Sequence, residues 1–370
     1  MVDKVKIHGE VGYSIQDYFT GCEISQLMAI INNCGKKYGK LKISVCFFFP
    51  KVRFIDKLTY VFLECICFYL IENGHAVRLK MLVEDSIETS GINSSPLRLL
   101  TTGKREDVIK YKDVFRLEVR GFHYRRVING ENKENTNYLG NYAQEIDSFL
   151  KPFGIDDVCR DTIANVFSEL VGNAIEHSNT ECLVDIDIAP GYIKKLENGG
   201  FDENYYYGIN IAIISFSDVL LGDGIEKYIL QNNEISGGRY EKVLETYDRH
   251  KQFFDNDYSS VDFCNITTFQ NKISGRESIE ETGGTGLPKL INSLQQMSDE
   301  EKCYVISGDR CVCFKKGLIE YDCDGWIGFN NEKSYFFNRP NEEVCAPCMI
   351  FMPGTAYNLN FVMKGERQPE

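Results

Sequence analysis

Glu169 and Asn173 stand four residues apart in SELVGNAIEHS, residues 168–178. On a helix this spacing sets a carboxylate and an amide on one edge, one turn apart. Ile163, Val166, Phe167, Leu170, Ala174 and Ile175 form the apolar face of the same helix, with Asn165 behind the polar pair and His177 ahead of it. A hard cation such as Mg²⁺ takes oxygen ligands and keeps several of its waters. The amide oxygen can bind the ion directly, and the carboxylate can hold a water or accept its proton. The same pattern also fits a solvated helix face.

Two further motifs lie downstream. SFSDVLLGDGI (215–225) follows an apolar strand and carries Asp218 at the strand end, then Gly222 and Gly224. A carboxylate followed by freed backbone amides suits an adenine amino group and nearby phosphates. ETGGTGLPKL (281–290) places Gly283, Gly284, Thr285 and Gly286 at the start of a helix that continues through Leu287 and Lys289. Unpaired amides and the dipole favour anions at such a helix start. Either glycine motif alone fits a plain turn; the three motifs in this order are far more specific.

That order resembles the GHKL ATPase superfamily, shared by gyrase, the ninety-kilodalton heat-shock chaperones, histidine kinases and mismatch-repair ATPases. The resemblance spans roughly residues 135–363 and includes VISGD (305–309) and FMPGTAYNLNF (351–361), which look like the family's closing strand pair. It implies an α/β sandwich, a mixed sheet under helices, with ATP and Mg²⁺ held between the helices and a mobile lid. By the same resemblance Asn173 matches the Mg²⁺-binding asparagine and Glu169 the carboxylate that activates water or a phosphoacceptor. Asp218 matches the adenine-reading aspartate, and Gly222 and Gly224 its loop glycines. Gly284, Gly286 and Leu287 match the phosphate-side box, flanked by Gly283 and Thr285, and Thr355 follows Gly354 before the final strand.

The adenine loop departs from the family. Asp218 stands four residues before Gly222, where the family spaces them by two, so Leu220 holds the aspartate position. Either the loop bulges to restore Asp218, with Asp223 as a spare, or adenine recognition is weakened. Residues from about 226 to 282 would form the lid. Arg276 and Lys289 are candidates for the γ-phosphate, and each also fits an ordinary surface cation. His177 is either a pocket-edge donor or a packed histidine.

The region before the polar stretch INGENKENTN (128–137) alternates strand and helix signals, which predicts an α/β domain over 1–127 and a second domain over 128–370. VRFID, then a helix, then Gly74 and a further strand resembles a STAS-type domain, the fold of anti-sigma-factor antagonists. The family's phosphoacceptor hydroxyl follows the aspartate, but Lys57 and Leu58 follow Asp56 here and only Thr59 is near. A generic α/β interaction domain fits equally well.

CVC (311–313) and CAPC (345–348) offer Cys311, Cys313, Cys345 and Cys348 as four thiolates for one zinc if their strands pair; scattered reduced thiols are the alternative. The 14 cysteines in a 370-residue chain without an apparent cleavable leader predict reduced thiols in a cytoplasm. YVFLECICFYLI (60–71) contains Glu64 and is shorter than the ~20 residues of a membrane span, so a core helix is expected. A net charge of −13 argues against a nucleic-acid partner. No His-Glu or His-Asp phosphoacceptor helix precedes the ATPase-like region. The expectation is a cytoplasmic ATP–Mg²⁺-binding regulatory protein, an ATPase or serine/threonine-type kinase, with a protein partner at its N-terminal domain and homodimerisation left open. The alternative is a non-catalytic module that docks partner proteins.

Overall fold

The computed structural model describes residues 6–9, 18–38, 44–49, 52–81, 87–88, 92, 95–129, 137–178, 181–194, 199–230, 238–273, 286–298 and 302–368. The chain is mixed α/β and divides into two units. The first comprises Met1–Val127, Leu183–Ala189 and Asn210–Ala212, and the second Ile128–Cys182, Pro190–Ile209 and Ile213–Glu370.

The first unit contains β1 (Lys6–Gly9), β2 (Tyr18–Phe19), α1 (Gly21–Tyr38), β3 (Ser44–Phe49), β4 (Val52–Phe54) and α2 (Lys57–Glu72). Then come β5 (Ala76–Met81), β6 (Ile87–Glu88), α3 (Arg105–Arg116), β7 (Leu117–Arg120) and β8 (His123–Ile128). β1, β3 and β5 form one three-stranded parallel sheet; β2, β4 and β6 form another. β3 and β5 pair in parallel, and the connection between them, which contains α2, is the crossover that parallel neighbours need.

α2 starts and stops where its sequence dictates. The Asp56 side chain caps it by accepting from the Thr59 backbone N–H at 2.8 Å. Gly74 ends it at φ +81°, a left-handed conformation that glycine adopts without a Cβ clash. Leu58, Val61, Leu63 and Cys67 are fully buried, as a helix apolar on every face demands. Among the described residues no helix is long and apolar enough to cross a membrane.

The second unit contains α4 (Tyr138–Leu150), α5 (Asp157–Ser178), β9 (Cys182–Tyr192), β10 (Tyr206–Phe216), α6 (Asp223–Leu230) and α7 (Arg239–His250). It continues with α8 (Ser260–Thr267), α9 (Gly286–Met297), β11 (Tyr304–Cys313) and β12 (Cys345–Lys364). The middle segments of β9 and β10 count with the first unit. A six-stranded sheet runs in the order β11-β12-β10-β9-β8-β7, with antiparallel pairing in β11–β12 and in β7–β8. α4 packs on α5, and α5 on α9. Leu170, Val171 and Ile175 of α5 and Leu290, Ile291 and Leu294 of α9 are buried.

The span read as a lid contains a core helix. α8 is buried along most of its length and opens with a capping box between Ser259 and Asp262. Arg310 of β11 donates from Nε to Asp262 Oδ1 at 2.8 Å and from its other nitrogens to the carbonyls of Asn256 and Asp257.

Candidate functional site

α5 and α9 bring together residues about 120 positions apart. Lys289 Nζ donates to Glu169 Oε1 at 2.9 Å. Gly286, the first residue of α9, lies directly against the same carboxylate: a Cβ added there would stand 2.1 Å from Glu169 Oε2. The missing side chain is what lets the carboxylate reach the start of the helix. Glu169 and Asn173 are both half-buried. The pair of Lys289 and Glu169 is open to solvent, with side chains 52% and 33% exposed. Such pairs contribute about 0–1 kcal/mol, so Lys289 can be drawn to a competing anion at little cost.

A second set of predicted residues meets at the ends of β10, β11 and β12. Ser307 Oγ accepts from the Leu221 backbone N–H at 2.9 Å and donates to the Gly354 carbonyl at 2.7 Å. Thr355 is the register partner of Ser307. Gly354 has φ +92°, and a Cβ there would fall 2.1 Å from the Ser215 carbonyl oxygen. The loop after β10 is therefore clamped to the β11–β12 pair.

Within that loop Asp218 lies on an exposed bend. Ser217 fixes the bend by donating to the Val219 carbonyl at 2.8 Å and accepting from its N–H at 3.0 Å. The Leu220 side chain packs on Gly308, 3.1 Å from where a Cβ would be. Asp223 Oδ2 accepts from the Leu220 N–H at 2.7 Å, so this carboxylate serves the start of α6. Gly222 is buried against α8, where a Cβ would meet Cys264 Cβ and Asn265 Oδ1 at 2.8 Å. Gly224 lies in the first turn of α6, and Leu287 is half-buried in that of α9. Gly283, Gly284, Thr285 and Arg276 lie outside the described residues, as does the side chain of His177.

The first unit holds a buried charge cluster whose parts the sequence reading did not join. Lys57 of α2 pairs with Asp185 and with Asp187, the latter at 2.5 Å. Arg125 of β8 bridges Asp185 and Glu64. His123 reaches Asp185 Oδ2 from Nε2 at 3.3 Å and Glu118 Oε2 from Nδ1 at 3.0 Å. Burial pushes the Glu64 carboxyl up to about 7 against the pull of Arg125. For His123, burial favours the neutral ring, but the attraction and hydrogen bond of Asp185 prevail and lift it to about 9. His123, Asp185 and Asp187 are close enough to ligate one ion. Lys57 already supplies the cation to both aspartates, so the cluster is a buried ion-pair network, in which Arg125 Nη1 is left without a hydrogen-bond partner. The signal available in sequence was the alternation Asp185-Ile186-Asp187 in an otherwise apolar strand, opposite a lysine and a glutamate in an apolar helix.

The strands carrying the predicted thiolate set do pair. Cys311 opposes Ala346 and Val312 opposes Cys345. Cys345 is buried and shares the face of Val312, opposite to Cys311 and Cys313. A four-thiolate zinc site is therefore corrected: alternation along β11 and β12 sends one of the four cysteines to the other face.

Comparison with models of known families, with curated proteins and with solved structures returned no match to this chain.

Proposed function

We propose that the second unit binds ATP with Mg²⁺ where α5 meets the start of α9, and acts as a GHKL-type ATPase or serine/threonine-type protein kinase. The observation that carries this reading is the Glu169 carboxylate seated against Gly286 with Lys289 on its other oxygen. The donor set suits the ligand. Asn173 offers an amide oxygen to a hard cation. The start of α9 would offer the backbone N–H groups of Gly286 and Leu287 to phosphate, with Lys289 as a cation beside them. In this reading Glu169 would take a proton from an attacking water or hydroxyl. Bound ATP–Mg²⁺ would supply the phosphoryl group and neutralise its charge.

The first unit, with its β3–α2–β5 crossover, would serve as a STAS-like domain for a protein partner. Lys57, at the position after Asp56, is buried in ion pairs, which makes a phosphoswitch there a poor fit. One observation favours the second reading, a non-catalytic docking module: Asp218 is exposed and Leu220 is committed to packing on Gly308. Neither arrangement offers adenine a buried carboxylate.

Calorimetry separates these readings. Asn173→Ala should abolish Mg²⁺-dependent ATP binding while the variant keeps the wild-type melting curve. Unchanged ATP affinity in that variant excludes the proposed site. ADP release over many turnovers marks an enzyme, and binding without turnover marks the docking module.

A further inference from the structure

Both carboxylate oxygens of Glu169 are engaged by α9. Lys289 Nζ donates to Oε1 at 2.9 Å, and Oε2 lies 2.1 Å from where a Cβ of Gly286 would stand. The two contacts come from the first and the fourth residue of that helix. Oε2 therefore abuts the start of α9, which leaves Oε1 as the oxygen that a water or hydroxyl can approach. An ammonium on Oε1 occupies that acceptor. The ion pair and general-base work thus compete for one atom.

Lys289 is the partner free to move. Its ammonium is a point charge on a flexible four-carbon stem, and its side chain is 52% exposed. Pro288, just before it, has no N–H, so an anion at the start of α9 has one backbone donor fewer and leans more on the lysine. A terminal phosphate carries about −2, against −1 on a carboxylate, and at equal distance draws the ammonium about twice as strongly.

We propose that Lys289 senses the γ-phosphate: it holds Glu169 Oε1 in the empty protein and moves to the terminal phosphate of a bound triphosphate, which frees that oxygen to take a proton. The inference rests on ATP–Mg²⁺ binding where α5 meets α9 and concerns the regulation of that site. Base and substrate are thereby coupled. The carboxylate is released only when the phosphoryl group is present, and a diphosphate leaves the pair closed. Lys289 acts as a positioning residue, and Glu169 remains the base.

The test is zero-length cross-linking of the full-length protein with a water-soluble carbodiimide, which joins a lysine to a carboxylate in direct contact with it. Peptide mass spectrometry should find a Glu169–Lys289 amide in the empty protein and with saturating ADP–Mg²⁺. The imido analogue of ATP, which is not hydrolysed, should suppress that amide by at least about tenfold where calorimetry shows the analogue bound. In a second arm, Lys289→Met should cut the preference for the analogue over ADP by at least about tenfold, and Lys289→Arg should keep most of it. A cross-link that persists with the analogue bound, no cross-link in the empty protein, or an unchanged preference in Lys289→Met would each overturn the sensor and leave the ATP site standing. If the wild type binds neither nucleotide, the ATP site itself falls, and the sensor with it.

Discussion

At the scale of single residues, Gly286 matters more for what it allows than for what it contributes. Its hydrogen leaves room for the Glu169 carboxylate, the flexible end of a half-buried side chain. Gly286→Ala should therefore push Glu169 aside without breaking the fold. Alanine favours a helix over glycine by roughly 0.5–1 kcal/mol, so the Tm should hold or rise slightly. ATP turnover, if Glu169 is the base, should fall by about 10²-fold or more, the range of lost general-base catalysis. Steady-state ADP release alongside a thermal melt checks both halves; full turnover would show that the position of Glu169 is irrelevant to chemistry. The edge bearing Glu169 and Asn173 was legible in sequence because helix periodicity alone places them. The roles of Lys57 and Glu64 were not legible. Each is an isolated charge in an apolar run, and its partners lie 130 and 61 residues away.

Elements show a similar division. α2, α4, α5 and the strands β9 to β12 follow from apolar periodicity and from glycine or proline stops, as at Gly74 and Gly154, both with positive φ. The β7–β8 hairpin was missed because β7 is exposed on nearly every residue and shows no alternation to read. α8 looked like part of a charged cover because Asp262 reads as solvent-facing until Arg310, 48 residues away, neutralises it. Gly354 belongs to this scale, since it sets the approach of β12 to the loop after β10. A side chain there would combine a positive φ with a backbone oxygen 2.1 Å from its Cβ. Gly354→Ala should destabilise the protein by several kcal/mol, because neither backbone can yield cheaply. Urea unfolding measures this; a loss under about 0.5 kcal/mol would mean that the clamp is loose.

For the molecule as a whole, the buried charge cluster predicts how stability follows pH. His123 titrates near 9 in the folded chain and ordinarily at 6.5, so its stabilisation is complete below 6.5 and is lost as pH rises through 9. Glu64, raised from 4.5 to about 7, acts in the same direction: the folded state holds that proton more tightly, and ionising it on the way up costs stability. Asp185 has the opposite sign. Burial would raise it, but Arg125, Lys57 and His123 hold it well below 3.8, so its contribution is lost only in strong acid. The urea midpoint should therefore fall steadily from pH 6 to pH 10, and His123→Asn should flatten the part between 7 and 10. A midpoint that rises over that interval, or an unchanged slope in the variant, would show that the cluster does not govern it.

The central claim concerns ATP, and the most direct test needs only the wild-type chain. Titration with ATP by calorimetry, with magnesium and then with a chelator in its place, should give saturable one-to-one binding that weakens by at least about tenfold when the ion is removed. Binding that ignores magnesium, or no heat in either condition, would contradict a triphosphate site at α5 and α9.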